Sequence, residues 1–342
     1  MKRSLREHWF VYLAFVTVLV VILVNSVNSP RHSYTDTNFS TRPSDVEWVA
    51  PLLDLDNKLA GDERAMVIYG EEIVANTAHY FGPRGIVSPL SNGMNCQNCH
   101  LDAGKQSWGN NYGAVFSTYP KFRERSGTIE TIPKRVNDCF ERSLNGKSID
   151  TNSREMKSIV AYIQWLGRDV KKGEKPKGSG IHELPYLDRE ADPGKGKEVY
   201  AIKCQSCHGA NGEGMLHPNG DAYIYPPLWG EHSYNTGAGL YRISRFAGYI
   251  KDNMPFHQTS HQSPQLSDEE AWDLAAFVNS QPRPRKNINE DWPDISKKPL
   301  DHPFGPYHDG FSERQHKYGP FKPIAEARKK LNSKMADTPA IR

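Results

Sequence analysis

The chain has 342 residues, of which 37% are hydrophobic, and a formal net charge of +3. This length accommodates two domains of ordinary size plus extensions. The nearly balanced charge excludes nucleic-acid binding through a strongly basic surface, although local clusters of basic residues can still attract anions.

The N-terminal segment predicts export. Lys2, Arg3 and Arg6 precede an uncharged, mainly apolar run over residues 9–24, which is the order found in secretory signals. As a helix this run would span about 24 Å, less than the roughly 30 Å of a bilayer core. We therefore expect residues 1–29 to be a signal peptide or an uncleaved membrane anchor. The protein would then be periplasmic, either soluble or tethered to the inner membrane.

Residues 30–45 are polar and are expected to form a tether before the first domain. Apolar residues at helical spacing predict a helix over residues 61–80, and a second one begins near Asn152, which is expected to be its N-cap. These two helices delimit an N-terminal domain over residues 46–170.

Between these helices lies the string MNCQNCH, residues 94–100. In a C-x-x-C-H string the two thiols form thioethers with the haem vinyl groups, and the histidine coordinates the iron. We expect Cys96 and Cys99 to attach one haem c, with His100 as its proximal ligand.

The charged, Gly- and Pro-containing segment 171–190 predicts a linker. Beyond it the same plan is repeated over residues 191–282, where CQSCH predicts a second haem c attached to Cys204 and Cys207 and ligated by His208. The repeat predicts an all-α fold with two class I cytochrome c-like domains in tandem.

The final helix of the second domain is expected to begin at Ser267, with Glu270 completing a capping box. Residues 283–342 then form a C-terminal extension outside both domains. Because it is rich in aromatic residues, which disordered tails lack, we expect residues 287–323 to pack on the domains as irregular chain. The last fifteen or so residues are expected to be mobile.

The sixth ligand of the second haem is expected to be Met254, which starts a Met-Pro pair about 45 residues after His208. A thioether is neutral, favours ferrous iron and raises the reduction potential. Met215, Lys251 and His257 are the alternatives.

The first haem has no such Met-Pro pair downstream. Four of the five cysteines belong to the attachment motifs, and the remaining one, Cys139, follows His100 by 39 residues. A thiolate ligand at this iron would stabilise the ferric state, and the alternative is a buried free cysteine. Met156 falls on the apolar face of the second predicted helix and is expected to be a core residue.

The segments GMNCQNCH, RVNDCFERSLNG and KDNMPF, in this order, resemble the dihaem thiosulfate dehydrogenases over roughly residues 46–323. The VNDCFERS part is the most specific. The resemblance implies oxidation of two thiosulfates to one tetrathionate with release of two electrons, and some members also reduce tetrathionate. It implies that Cys139 is an axial ligand of the first haem, which would be the active-site haem.

Some members of this family have a lysine directly before the methionine ligand of the second haem, and the two residues exchange as ligands. This chain has Asn253 in that place, with Lys251 three positions before Met254. The electron partner is expected to be a small cytochrome c or a terminal oxidase.

Joining two thiosulfate dianions requires cations and hydrogen-bond donors close to Cys139. Arg125, Arg142 and Ser143 are the candidates, and the further basic residues nearby are Arg123, Lys134 and Arg135. The alternative for each arginine is a partner of a haem propionate or a solvated surface charge. Two other functions remain open from the motifs: a dihaem electron carrier without a substrate, and a dihaem peroxidase. A thiolate from Cys139 argues against the peroxidase.

Overall fold

The computed structural model describes residues 42–336. The predicted signal peptide or anchor and most of the predicted tether lie outside this range. Within the described range, no helix combines the length and the apolar character needed to cross a membrane.

The first domain is built around two helices that cross each other, one near its beginning and one near its end. The second of these begins after Ser153, whose hydroxyl accepts a hydrogen bond from the Met156 amide. The N-cap prediction of Asn152 is therefore wrong by one residue. In chain order the elements are β1 (Arg42–Glu47), α1 (Gly61–Ala75), α2 (Thr77–Phe81), α3 (Leu101–Gly104), α4 (Val115–Thr118), β2 (Lys121–Arg123), β3 (Thr128–Glu130), α5 (Ile132–Arg142) and α6 (Arg154–Leu166).

The second domain repeats this plan, and its last helix begins with the capping box predicted for Ser267 and Glu270. The linker, the second domain and the extension contain β4 (Glu174–Lys177), α7 (Pro193–Lys203), α8 (Gln205–His208), β5 (Met215–Leu216), β6 (Tyr223–Tyr225), α9 (Ile243–Asn253), α10 (Asp268–Ser280), α11 (Glu313–Tyr318) and α12 (Lys322–Ala336). Within the described chain, helical residues therefore far outnumber strand residues.

A glycine at each helix crossing brings the two backbones into close contact. A Cβ on Gly70 of α1 would lie 2.0 Å from the carbonyl oxygen of Ser158 in α6. The same relation holds between Gly196 of α7 and Asp273 of α10, also at 2.0 Å. Both domains therefore have a glycine at the crossing of their first and last helices, which supports the predicted duplication.

Among the described residues, the strands form three two-stranded sheets. Strands β2 and β3 form an antiparallel pair, as do β5 and β6. Strand β1 runs parallel to β4, with Arg42 opposite Glu174. The end of the predicted tether is thus hydrogen-bonded to the predicted linker, so neither is free chain along these residues.

The C-terminal extension packs on the domains, but it is not irregular throughout. Helix α11 is capped by Ser312, and α12 continues to Ala336, well into the part expected to be mobile. Phe321 and Ile324 are buried in the core of the second domain. Their burial explains why this end of the chain becomes helical, because an amphipathic segment gains most of its helical stability from packing.

Candidate haem sites and the Cys139 cavity

The first domain encloses a cavity of about 390 Å³ that brings together Cys96, Cys99, His100 and Cys139. The attachment cysteines lie in and just after a 3₁₀ turn, Cys96–Asn98, that follows α2. Cys139 lies on α5, which begins after Thr131, whose hydroxyl accepts from the Lys134 amide. Residues 39 positions apart in the chain therefore line one cavity.

The His100 side chain has the hydrogen bonding and the protonation state that allow an imidazole to bind a metal. Its Nδ1 lies 2.5 Å from the carbonyl oxygen of Asn110, which leaves Nε2 free for iron. Burial lowers the pKa of His100 to about 4, so the imidazole is neutral at pH 7. The ring also packs against Tyr112, with centroids 4.5 Å apart.

The second domain encloses a cavity of about 580 Å³ lined by Cys204, Cys207, His208 and Met254. The His208 Nδ1 lies 2.9 Å from the carbonyl oxygen of Pro226, and burial lowers the pKa of His208. The geometry therefore groups Met254 with the second attachment motif.

The alternative ligands of the second iron lie elsewhere among the described residues. Met215 is half exposed in β5, and Lys251 is paired with Asp268 at 2.9 Å. Neither of them, nor His257, lines the second cavity.

Both cavities fit haem c. Their volumes fall within the roughly 300–1,000 Å³ of cofactor sites. Each has two cysteines that form no disulfide and one histidine whose Nδ1 is already engaged by the backbone. Burial raises the pKa of Cys96, Cys99 and Cys204 to about 12.

The two cavities share part of their wall. Met94, Asn95 and Cys99 line both of them. The Tyr249 hydroxyl in α9 of the second domain donates to the carbonyl oxygen of Asn98, at 3.1 Å. The attachment motif of the first domain is thus also a lining segment of the second site.

Four basic side chains line the Cys139 cavity: Lys121, Arg123, Arg135 and Lys175. The negative charge of a Cys139 thiolate is the main cause that raises the pKa of Arg135, so this guanidinium stays protonated. Burial, together with repulsion from Arg123 and Arg135, lowers the pKa of Lys121 to about 8. The cavity is therefore suited to anions.

The three residues predicted to bind the anionic substrate fall into two groups. Ser143 lines the cavity, one helical turn beyond Cys139. Arg142 instead donates two hydrogen bonds of 2.8 Å to Asp291 of the extension. Arg125 lies 3.7 Å from the same carboxylate and donates to the carbonyl oxygen of Gly237. A direct role for these arginines stays a prediction.

Sequence reasoning missed two of the basic lining residues. Lys121 lies just before Arg123 and Arg125 in the chain. Only the β2–β3 hairpin shows that it lines the cavity. Lys175 belongs to the segment predicted to be a linker, and the pairing of β4 with β1 brings it to the site. A run of charged residues in a linker does not indicate that one of them lines a cavity.

Two family models match the chain. Residues 88–171 match the cytochrome c domain of SoxA/TsdA, and residues 194–282 match cytochrome c. Together with the two cavities, these matches define a dihaem c-type cytochrome with two covalently bound haem c groups.

Similarity to individual proteins identifies the family within this class of cytochromes. The chain is 42% identical over 207 residues to a thiosulfate dehydrogenase of Psychrobacter arcticus, covering 60% of this chain and 61% of that protein. It is 38% identical over 220 residues to one of Allochromatium vinosum, covering 63% and 79%. The solved thiosulfate dehydrogenase TsdBA from Marichromatium purpuratum, in its as-isolated form, matches with a TM-score of 0.63 and 31% identity over 70% of this chain and 50% of that one. The chain belongs to the thiosulfate dehydrogenase family.

Proposed function

We propose that the protein couples two thiosulfate dianions to tetrathionate and releases two electrons, as the resemblance in sequence implies. The charges balance, because two dianions lose two electrons and give one dianion. Family membership supports the proposal, although the chain spans only about 61% of the Psychrobacter relative. The observation that carries it is the single cavity that holds His100, Cys139 and a group of basic side chains.

A haem c held by Cys96, Cys99 and His100 in this cavity would supply one-electron transfer. The protein's own part is to bind two anions and bring their sulfur atoms together. Arg123, Arg135 and Lys175 offset the four negative charges of the pair, which would otherwise repel each other across the cavity. Ser143, which directly follows α5 and lines the same cavity as Cys139, is placed to donate a hydrogen bond to a substrate oxygen.

Cys139 is proposed as the sixth ligand of the first iron and Met254 as that of the second. A thiolate stabilises ferric iron and a thioether ferrous iron, so the pair favours electron flow from the first domain to the second. The electrons would pass on to a small cytochrome c or a terminal oxidase. Because haem c is attached outside the cytoplasm, the site of action would be the periplasm.

The direct test is a thiosulfate titration of the purified, oxidised holoprotein with the haem absorption bands and tetrathionate followed together. We expect thiosulfate to reduce the haems and one tetrathionate to form per two electrons. Running the reaction backwards with a reduced viologen then measures tetrathionate reduction. If the haems stay ferric with thiosulfate yet accept electrons from a general reductant, the protein is an electron carrier.

Replacing Cys139 tests its role. In Cys139→Gly we expect kcat/KM for thiosulfate to fall by more than about 100-fold, beyond the 10–100-fold typical of residues outside a metal's own ligands. Both haems should remain attached, because Cys139 is not an attachment residue, and haem content is the control. Full activity with intact haem would show that Cys139 has no part in the reaction.

A further inference from the structure

Two histidines and an aspartate form a compact cluster outside both haem cavities. His182 comes from the linker segment, Asp252 from the last turn of α9, and His261 from the loop that follows Met254. Their ligating atoms all lie within 4.8 Å of one another. The His182 Nδ1 is 3.3 Å and the His261 Nδ1 3.0 Å from the Asp252 carboxylate.

The fold holds these three side chains in place. A Cβ on Gly248 would lie 1.9 Å from the carbonyl oxygen of His182, so the linker lies directly on α9 one turn before Asp252. The ring of His261 is stacked on Trp108 of the first domain, with centroids 3.9 Å apart and planes 12° apart. Both imidazoles are therefore positioned by contacts that do not depend on the carboxylate.

The cluster is closed on its acidic side and open on its histidine side. Asp252 is 2% exposed, and among the described residues its carboxylate is hydrogen-bonded to the two imidazoles. The side chains of His182 and His261 are 32% and 25% exposed. A buried carboxylate beside two accessible imidazoles gives an ion from solvent a route to the ligands.

We propose that His182, Asp252 and His261 bind one Zn²⁺ ion. Imidazole and carboxylate are ordinary zinc ligands, with bonds of about 2.0–2.2 Å in tetrahedral geometry, which separates neighbouring ligand atoms by about 3.3–3.5 Å. The two nitrogen–oxygen distances of the cluster are already close to this value. All the ligand atoms lie within 4.8 Å of one another, so only a small contraction of the cluster is needed, and the fourth position is left to water.

Such an ion would connect three segments that the chain separates: the linker, α9 and the loop after Met254. Because Asp252 precedes Met254 by two residues, the ion would also restrain the segment that carries the proposed iron ligand. Binding to the folded protein alone stabilises it in proportion to the logarithm of the free zinc concentration. The site thus predicts zinc-dependent stability of the holoprotein.

The test uses the holoprotein with both haems attached, freed of metal by a chelator and then titrated with zinc in competition with a chromophoric chelator. We expect one zinc per chain and a melting temperature that rises with zinc concentration. In His182→Gln and His261→Gln the affinity should fall at least tenfold, and the rise in melting temperature should require at least tenfold more zinc.

His232→Gln is the matched control, because this histidine is exposed and lies outside the cluster. It should bind zinc as the unmodified protein does. Either of two results would overturn the proposal: less than one zinc bound per chain at saturation, or unchanged affinity in both cluster variants. Since haem spectra report folding of each variant independently, loss of zinc binding through misfolding is recognised directly.

Discussion

At the scale of single residues, Asn253 shows how one side chain joins the two domains. It is 1% exposed and makes three side-chain hydrogen bonds. Its Oδ1 accepts from Gln106 at 2.8 Å, and its Nδ2 donates to the carbonyl oxygens of Trp108 at 3.0 Å and Tyr249 at 2.8 Å. An amide thus connects the loop after the first attachment motif to the residue before Met254.

Asn253→Ala removes the partner of all three groups, which form one buried and two partly buried hydrogen bonds with it. We expect a loss of about 1–3 kcal/mol in the free energy of unfolding, the usual cost of buried unsatisfied polar groups. Thermal unfolding of the holoprotein measures it. Asn289→Ala, at an exposed position, is the control and should change nothing. Equal melting temperatures for the two variants would show that the contact contributes no stability.

The arginines near Cys139 are expected to separate into two kinds. Arg123→Gln removes a charge from the cavity wall and should raise KM for thiosulfate about tenfold, as expected for a charge-assisted hydrogen bond. Arg142→Gln breaks a largely buried pair with Asp291, and should lower stability by about 3 kcal/mol. Steady-state kinetics and thermal unfolding of both variants test this division. A large rise in KM for Arg142→Gln at normal stability would instead favour the sequence prediction that it binds substrate.

At the scale of secondary-structure elements, a close approach of two backbones marks the helix crossing of each domain. Gly70 and Gly196 occur where the first helix of a domain meets the last one, with the opposing backbone in the space that a side chain would occupy. The crossing angle and separation of each pair thus depend on a missing methyl group.

Gly70→Ala is expected to lower the free energy of unfolding by about 1–3 kcal/mol. The added methyl group must displace the backbone of α6, and this overpacking outweighs the helix propensity of about 1 kcal/mol that alanine gains over glycine. Gly239→Ala is the control, since nothing lies within 4 Å of its Cβ. Stability equal to or above that of the unmodified protein would show that the helices can separate without cost.

At the scale of the whole molecule, the extension places a buried histidine between charged groups. His302 is 4% exposed, and burial lowers its pKa to about 3, with repulsion from Lys298, Arg125 and Arg242 acting in the same direction. In the unfolded chain its pKa would be near 6.5. Below that value the unfolded state takes up a proton that the folded state excludes.

The free energy of unfolding should therefore fall as the pH drops below about 6.5, by up to about 1.4 kcal/mol per pH unit from this group. His302→Gln should reduce this dependence, and comparing melting temperatures at pH 7.5 and 5.5 measures it. His232→Gln, an exposed position, should keep the full dependence. If the two variants respond to pH alike, His302 is not the source.

The features that could be predicted from the sequence are those whose residues lie close together along the chain. The attachment motifs are local, so Cys96, Cys99 and His100 are recognisable from five residues. Helix periodicity and the capping box at Ser267 are local as well, and the structure confirms them. Cys139 could be singled out because it was the one cysteine left over.

The remaining features depend on contacts between distant segments. The partner of Arg142 is Asp291, 149 residues away. Lys175 reaches the first cavity because strand β4 pairs with a strand that precedes the whole domain. The extension was expected to be irregular over residues 287–323 and mobile in its last fifteen or so residues, yet α12 forms where the second domain offers Ile324 a place to pack.

Because the two cavities share part of their wall, the two domains cannot be separated without changing the second haem site. Since Met94, Asn95 and Cys99 line both sites, a cut in the linker would leave the second haem exposed on the side that the first domain covers. The halves are similar in plan but are not interchangeable modules. Recombination between relatives, or fusion of one half to another enzyme, would have to exchange the residue 94–99 segment and the second domain as a unit.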